Sequence, residues 1–362
     1  MEDLKSAREK INIIDREMAK LFEERMECAE KIAEYKKERG LAIYDKARED
    51  EVIRRNSLLI EDETLREYYV SFLKDSMAVS RKYQERLMEG AKIAYSGTVG
   101  AFAHIATLKL FPTAEKIAYP DFRSAYAAVE SGECDAAVLP IENSYNGEVG
   151  EVSDLTFSGS LYINAVTEIA ITQDLLGVNG AALSDIKKVI SHPQALGQCA
   201  KFIKKHGFAE EEYENTALAA KYVAEQNDKS IGAIASAEAA RIFGLTVLEK
   251  NINAARTNTT KFAVFSRSQS ILDGKESGVH TILMFTVRHE AGALAKAIEI
   301  IGKHGFNMQS LRSRPMKELL WQYYFYVEAE GDIESEEGRQ MLRVLEMYCD
   351  RLKVLGTYIK GE

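Results

Sequence analysis

The first 39 residues contain neither proline nor glycine and are rich in strong helix formers, which constrains them to one long α-helix. At about 100° per residue, Ile11, Ile14, Met18, Leu21, Phe22, Ala29 and Ile32 share one face. Arg25 and Lys36 fall near the middle of that same face. A single charge on an apolar stripe is ordinarily a snorkelling side chain. Two unpaired cations there are costly to desolvate. The pattern therefore predicts either buried carboxylate partners or a small anionic guest.

Such a helix would be roughly 55 Å long. Two shorter helices are predicted after it, with breaks near Gly40 and near residues 57–62, so that residues 1–90 form a helical module. Asp45, Arg48, Glu49 and Val52 follow i, i+3, i+4, i+7 spacing and are expected on one face of the second helix. Leu73, Met77, Ser80, Gln84 and Leu87 form a stripe on the third, interrupted by Ser80 and Gln84. Asp45 and Glu49 are the carboxylates available to neutralise the cations. Two short helices leave part of the long stripe uncovered, so dimerisation is expected. Arg8 lies about 100° around the helix from Arg25 and is expected to serve a different pocket, the partner subunit's.

A chain of 362 residues exceeds one ordinary core and predicts two or three domains. Its net charge of −9 argues against a nucleic-acid partner. Cys28, Cys134, Cys199 and Cys349 are scattered, with no CxxC pair. That suits free thiols in a reducing cytoplasm, the expected location. The charged N-terminus lacks a signal-peptide apolar run. No stretch of 18 apolar residues suggests a membrane span. Zinc or iron ligand spacing is absent, as are G-x-G-x-x-G and P-loop motifs, so no metal or cofactor is expected.

Residues 91–268 have α/β grammar. Strands are predicted at 92–95, 135–139, 188–190, 230–234 and 262–265, and residues 162–172 resemble a segment crossing between two lobes. Four polar patches fall at strand–loop boundaries, where ligands gather in such folds. They are Gly97-Thr98-Val99-Gly100, Pro140-Ile141-Glu142-Asn143-Ser144, Ser191-His192-Pro193-Gln194 with Gln198, and Asn258-Thr259-Thr260-Lys261-Phe262, the last placed just before a strand. Each alone is compatible with ordinary turn chemistry. After a polar linker (269–278), residues 279–362 predict strand 280–287, helix 291–304, strands 308–314 and 321–328, helix 334–348 and strand 353–358. This βαββαβ order is the ferredoxin-like split motif.

The helical module resembles the all-α chorismate mutase family through Ala7-Arg8-Glu9-Lys10-Ile11, Glu24-Arg25, Lys36, Asp45, Arg48-Glu49, Ser80 and Gln84. The resemblance implies a dimer with shared pockets. Arg8, Arg25 and Arg48 would bind the two chorismate carboxylates. Lys36 and Gln84 would hydrogen-bond the ether oxygen, Glu49 would take the ring hydroxyl, and Asp45 and Ser80 would support binding.

Taken together, the four patches, with His104, resemble prephenate dehydratase, a family with a two-lobed, periplasmic-binding-protein-like α/β fold. By that likeness Thr260 assists the leaving hydroxyl of prephenate. Asn143, Ser191, Gln198 and Lys261 orient its carboxylates or ring, and Glu142, Ser144, His192 and Phe262 complete the site. The family triplet usually carries Arg where this chain has Lys261, and Ala101 and Ala103 stand where hydroxyl residues are common.

Gly292-Ala293-Leu294 and Ser313-Arg314-Pro315 resemble the effector motifs of an α+β, ferredoxin-like ACT domain, with Arg312 where Glu is usual. The likeness implies phenylalanine as effector; a plain dimerisation module is the competing reading. The order of the three modules resembles the bacterial bifunctional enzymes that turn chorismate into prephenate and then phenylpyruvate, as homodimers or homotetramers. The alternatives are a ligand-binding regulatory protein, and a dehydratase acting on arogenate.

Overall fold

The computed structural model describes residues 2–254, 257–270, 277–316 and 322–360. They form two compact units, Met1–Ala91 and Lys92–Glu362. No helix among the described residues is long and apolar enough to cross a membrane.

The first unit is α1 (Glu2–Arg39), α2 (Lys46–Ser57) and α3 (Glu63–Glu89). Asp62 caps α3 by accepting from the backbone N–H groups of Thr64 and Leu65. Gly90 ends it with φ +90°. Ala29 and Ala33 of α1 are buried, as are Met77, Ser80 and Gln84 of α3. Alanines on one side of such a seam let helices approach closely. The stripe read from the sequence is covered only in part. Ile11, Ile14, Met18, Leu21, Phe22 and Ile32 remain 45–63% exposed, because burial on α1 is confined to residues 25–36.

The second unit begins with β1 (Lys92–Ser96), α4 (Phe102–Leu110), β2 (Glu115–Tyr119), α5 (Phe122–Glu130), β3 (Ala136–Asn143), β4 (Gly147–Glu148), α6 (Gly150–Ser158) and β5 (Tyr162–Ala170). The chain then crosses to β6 (Asp174–Gly177), β7 (Lys188–Ser191), α7 (Pro193–His206), β8 (Ala209–Glu212), α8 (Thr216–Gln226), β9 (Ile231–Ala235), α9 (Ala237–Phe243) and β10 (Thr246–Glu249). It returns with β11 (Thr259–Ser266) to the first sheet, ordered β2-β1-β3-β11-β5 with β4 beside β3; the second sheet is β10-β6-β9-β7-β8. Two chain crossings, between β5 and β6 and between β10 and β11, thus join two lobes.

The remaining elements are β12 (Val279–Val287), α10 (Ala293–Lys303), β13 (Asn307–Pro315), β14 (Tyr323–Glu330), α11 (Glu336–Glu346) and β15 (Cys349–Ile359). Their antiparallel sheet is ordered β13-β14-β12-β15. One of its faces shares a core with the first lobe, where Ile282, Met284, Tyr326 and Leu355 join Leu139, Ile163 and Phe265. The other packs on α10 and α11 through Phe285, Ile301, Met341 and Leu345. Close approach of β15 to β5 requires Gly356: at φ +149°, a Cβ there would lie 2.1 Å from the Ile163 carbonyl oxygen.

Several expectations are revised. Strand β3 continues through Pro140–Asn143, and β11 starts at Thr259. The motif triplet is therefore inside a strand, paired on both sides with β3 and β5; its β-branched threonines favour that state. Strands β2, β6, β8 and β10 are additional to those predicted: β2, β8 and β10 are sheet edges whose mixed, largely exposed residues lack an apolar run, and β6 has four residues. Trp321, expected to open a strand, and linker residues 271–276 lie outside the described residues.

Candidate active sites

In the helical unit, α1 and α3 bring polar groups into an otherwise apolar seam. Arg25 donates to Ser80 Oγ. Burial pulls the Arg25 guanidinium below its ordinary pKa. The buried Gln84 leaves Oε1 without a hydrogen-bond partner. Lys36 donates to the Ile43 carbonyl on the α1–α2 connection. Arg25, Lys36, Ser80 and Gln84 are thus all at least half-buried.

Other predicted residues lie elsewhere. Asp45 is not on a face of α2 but is its N-cap, accepting from Arg48 N at 3.0 Å, because a short carboxylate satisfies the free N–H groups of a helix start. The Arg48 side chain is exposed and pairs with Glu51 at 2.7 Å, one turn along. Glu49 is held by Arg81 of α3, a partner missed in the sequence. Arg8 is exposed.

In the second unit, a cleft of about 340 Å³ opens between the lobes. Asn143, His192, Gln198, Thr260 and Phe262 line it. A β-bulge shapes its floor. Across β3 and β11, Thr260 faces Asn143 and Lys261 faces Glu142, but Phe262 faces Pro140, leaving Ile141 as the extra residue. In a regular strand, Pro140 and Asn143 would point to opposite faces; the bulge lets both line the cleft.

Asn143 is fixed from both ends. Its Oδ1 accepts from Tyr145 N (3.0 Å) and Asn146 N (2.9 Å). Its Nδ2 donates to Asn258 Oδ1 (2.7 Å) and Thr260 Oγ1 (2.9 Å). Thr260 thus accepts from Asn143, and its own O–H has no acceptor among the described residues. His192 caps α7: Nδ1 accepts from Gln194 N at 3.3 Å, which places the ring hydrogen on Nε2.

Four predicted dehydratase residues do not line the cleft. Ser191 is wholly buried and donates to the Ile234 carbonyl (2.6 Å), tying β7 to β9. Ser144 Oγ donates to the Thr257 carbonyl and accepts from Thr259 N, stapling the loop to β11. Glu142 and Lys261 alternate with Asn143 and Thr260 along their strands and so face the other way, 3.6 Å apart. His104 also lies off the cleft. It accepts from Gly100 N at 3.2 Å and packs on Tyr95, and burial holds its pKa below the usual value.

The first effector motif sits at the start of α10, with Gly292 at φ +86° as N-cap. A neighbouring cavity of about 320 Å³ is lined by Val287, Arg288, Glu290, Leu294, Tyr323 and Phe325. The second motif is not brought to it within the chain. Arg314 instead grips Asp154 of α6 with both prongs, at 2.6 and 3.0 Å.

Residues 93–270 match the prephenate dehydratase family, and residues 7–85 match chorismate mutase type II. A bifunctional chorismate mutase/prephenate dehydratase of Aquifex aeolicus is 32% identical, over 100% of this chain and 99% of that protein. The chain belongs to the bifunctional chorismate mutase/prephenate dehydratase family. It is an isomerase and a lyase of phenylalanine biosynthesis. Arogenate dehydratase 2 of Petunia hybrida is 36% identical over 74% of this chain and 71% of its own. The crystal structure of prephenate dehydratase from Arthrobacter aurescens, in complex with L-Phe, matches with TM-score 0.67 at 26% identity, covering 74% of this chain and 90% of that one.

The cleft also contains groups to which the motifs gave no role. Asn258 completes the Asn143 network. Gln173 and Asn215 line the cleft from the chain crossing and the start of α8. For Asn215 the available signal was its position as helix N-cap, one residue before a run of alanines. Cys199, adjacent to Gln198, is buried and its thiol is pushed up to about 12, so it is no nucleophile.

Proposed function

We propose that the helical unit holds chorismate with Arg25 and, from a second copy of the chain, Arg8, while Lys36 and Gln84 bind the ether oxygen. The reaction is an intramolecular [3,3] rearrangement to prephenate. No group need donate or accept a proton. Catalysis requires a compact substrate conformer and fixed donors at the oxygen that gains negative charge as C–O breaks. The buried Gln84 side chain, whose Oε1 has no hydrogen-bond partner among the described residues, and the Arg25–Ser80 contact put polar groups in the seam and support this assignment. The exposed apolar face of α1 supports a homodimer joined through this helix, which would bring Arg8 to the partner's pocket and complete the polar set. Arg48 would leave Glu51 for a substrate carboxylate, with Asp45 and Glu49 shaping the binding face.

In the dehydratase cleft, prephenate loses its ring carboxylate as CO₂. The electron pair of that C–C bond enters the ring and expels the C4 hydroxyl, which takes one proton and leaves as water. Aromatisation drives the step. Thr260 is assigned to the leaving hydroxyl. The observation that carries this is the Asn143–Thr260 hydrogen bond, which occupies the threonine oxygen as acceptor and leaves its O–H to donate. Such donation from a fixed network is what a weak acid like threonine can supply. His192, Gln198 and Phe262 contact the bound dianion and ring.

The C-terminal βαββαβ sheet is assigned as an ACT domain of ferredoxin-like topology, with phenylalanine bound near Gly292-Ala293-Leu294 and signalling to the cleft. Ser313, Arg314 and Pro315 would complete that site only from a second copy. The location is assigned to the cytoplasm. One assay tests the whole reading: chorismate is supplied without metal or cofactor, and phenylpyruvate is followed by absorbance with and without phenylalanine. Absence of phenylpyruvate sinks it, and a flat phenylalanine response sinks the effector assignment.

A further inference from the structure

The two strands that present Asn143 and Thr260 to the cleft carry a cluster of charges on their other face. Glu142, beside Asn143, accepts from Arg312 Nη2 at 2.6 Å and lies 3.6 Å from Lys261 Nζ. Lys261, beside Thr260, also lies 3.5 Å from Glu328, whose side chain is only 2% exposed. Arg312 and Glu328 belong to β13 and β14 of the C-terminal sheet. Arg312 is itself fixed: Nε donates to Ser310 Oγ at 3.0 Å, and its guanidinium lies 4.8 Å over the Tyr326 ring. Tyr358 donates to the second Glu328 oxygen at 2.7 Å. Two cations therefore meet two carboxylates in a largely desolvated layer, where removing one partner strands a charge.

The cluster sits at the β-bulge. Glu142 and Lys261 are the last pair in register before Ile141 is skipped. The bulge is what turns Asn143 into the cleft opposite Thr260. We propose that Arg312 is a positioning residue for the dehydratase step, acting through Glu142 and Lys261 to hold the bulge in the register that joins Asn143 to Thr260. The C-terminal sheet would then be part of the dehydratase scaffold even without effector, with Arg312 as its point of purchase. This rests on the assignment of Thr260 and Asn143 above.

The test uses the full chain, with dehydratase kcat and KM measured for prephenate and the mutase rate as an internal control. Arg312→Met keeps the packing over Tyr326 and removes the charge. It should lower dehydratase kcat by about tenfold or more, since small misplacements of catalytic groups cost that much, while KM and the mutase rate hold. Arg312→Lys should restore most of kcat. Glu142→Gln should reproduce the loss, and the double variant should be no worse than either single one, because both break the same contact. Wild-type kcat in Arg312→Met and Glu142→Gln overturns the proposal. So does a Glu142→Gln effect confined to KM, which would make that carboxylate a substrate contact. If Arg312→Met fails to fold, Glu142→Gln decides by the same kcat criterion. Thr260→Ala separates the two levels: full dehydratase activity in that variant refutes the cleft assignment, whereas its loss beside a normal Arg312→Met refutes only the positioning role.

Discussion

Asn143 donates to Thr260 Oγ1 over 2.9 Å across neighbouring strands, although the two residues are 117 positions apart in the chain. The bond exists because β11 returns from the second lobe and inserts between β3 and β5. It occupies one of the two threonine lone pairs and leaves the hydroxyl proton without an acceptor among the described residues.

Thr260→Ala should therefore abolish most phenylpyruvate formation, lowering kcat by about a hundredfold to a thousandfold, the usual cost of one fixed donor at a reacting oxygen. Prephenate should still accumulate from chorismate. Thr260→Ser, which keeps the hydroxyl, should be intermediate. Steady-state kinetics on both substrates read this directly.

Lys36→Ala and Gln84→Ala should each cost the mutase about a hundredfold in kcat/KM, with dehydratase kinetics on supplied prephenate unaltered. An unfolded helical unit is distinguished by far-UV circular dichroism. Wild-type mutase turnover in either variant would remove that residue from the site.

Phe22→Asp with Ile14→Asp places charges on the uncovered face of α1, where the wild-type side chains are 49% and 45% exposed. Sedimentation should shift toward the mass of one chain, and mutase activity should fall with it. An unchanged assembly would show that copies associate elsewhere.

Gly356→Ala should destabilise the second unit by about 2–3 kcal/mol, because the new Cβ meets the Ile163 carbonyl and the backbone is held at positive φ. Chemical denaturation measures the loss. A neutral result would mean β15 and β5 separate without cost.

Lys353 of β15 donates to the Thr156 and Gly159 carbonyls at the end of α6. Burial lowers its pKa to about 8. An unfolded lysine titrates near 10.4, so between these values the unfolded chain binds the extra proton and stability from this group rises with pH. The penalty is fully present below about pH 8. The difference in unfolding free energy between wild type and Lys353→Met should change in the wild type's favour from pH 7.5 to about 9.5. A pH-independent difference would contradict the lowered pKa.

Much of the architecture was legible along the chain. Freedom from glycine and proline made α1, and the spacing of Arg25, Lys36, Ser80 and Gln84 marked polar interruptions in apolar stripes. Four polar patches at strand ends marked the second unit, and three of them, around Asn143, His192 and Thr260, meet in its cleft. Those signals are local, because helix faces and strand-end turns are set by neighbours in the chain.

Tertiary structure alone decided which side of each patch faces the cleft. The period of a strand sends Lys261 and Glu142 away from Thr260 and Asn143, and a one-residue bulge resets that period for Pro140. It also turned Arg312 and Arg314 toward Glu142 and Asp154. The Asp45 cap and the Arg48–Glu51 pair, by contrast, are contacts three residues apart within or beside one helix. For Arg312 and Arg314 the nearest carboxylate, 170 and 160 positions away in the chain, determined the side chain's role, and a linear pattern carries no record of that distance.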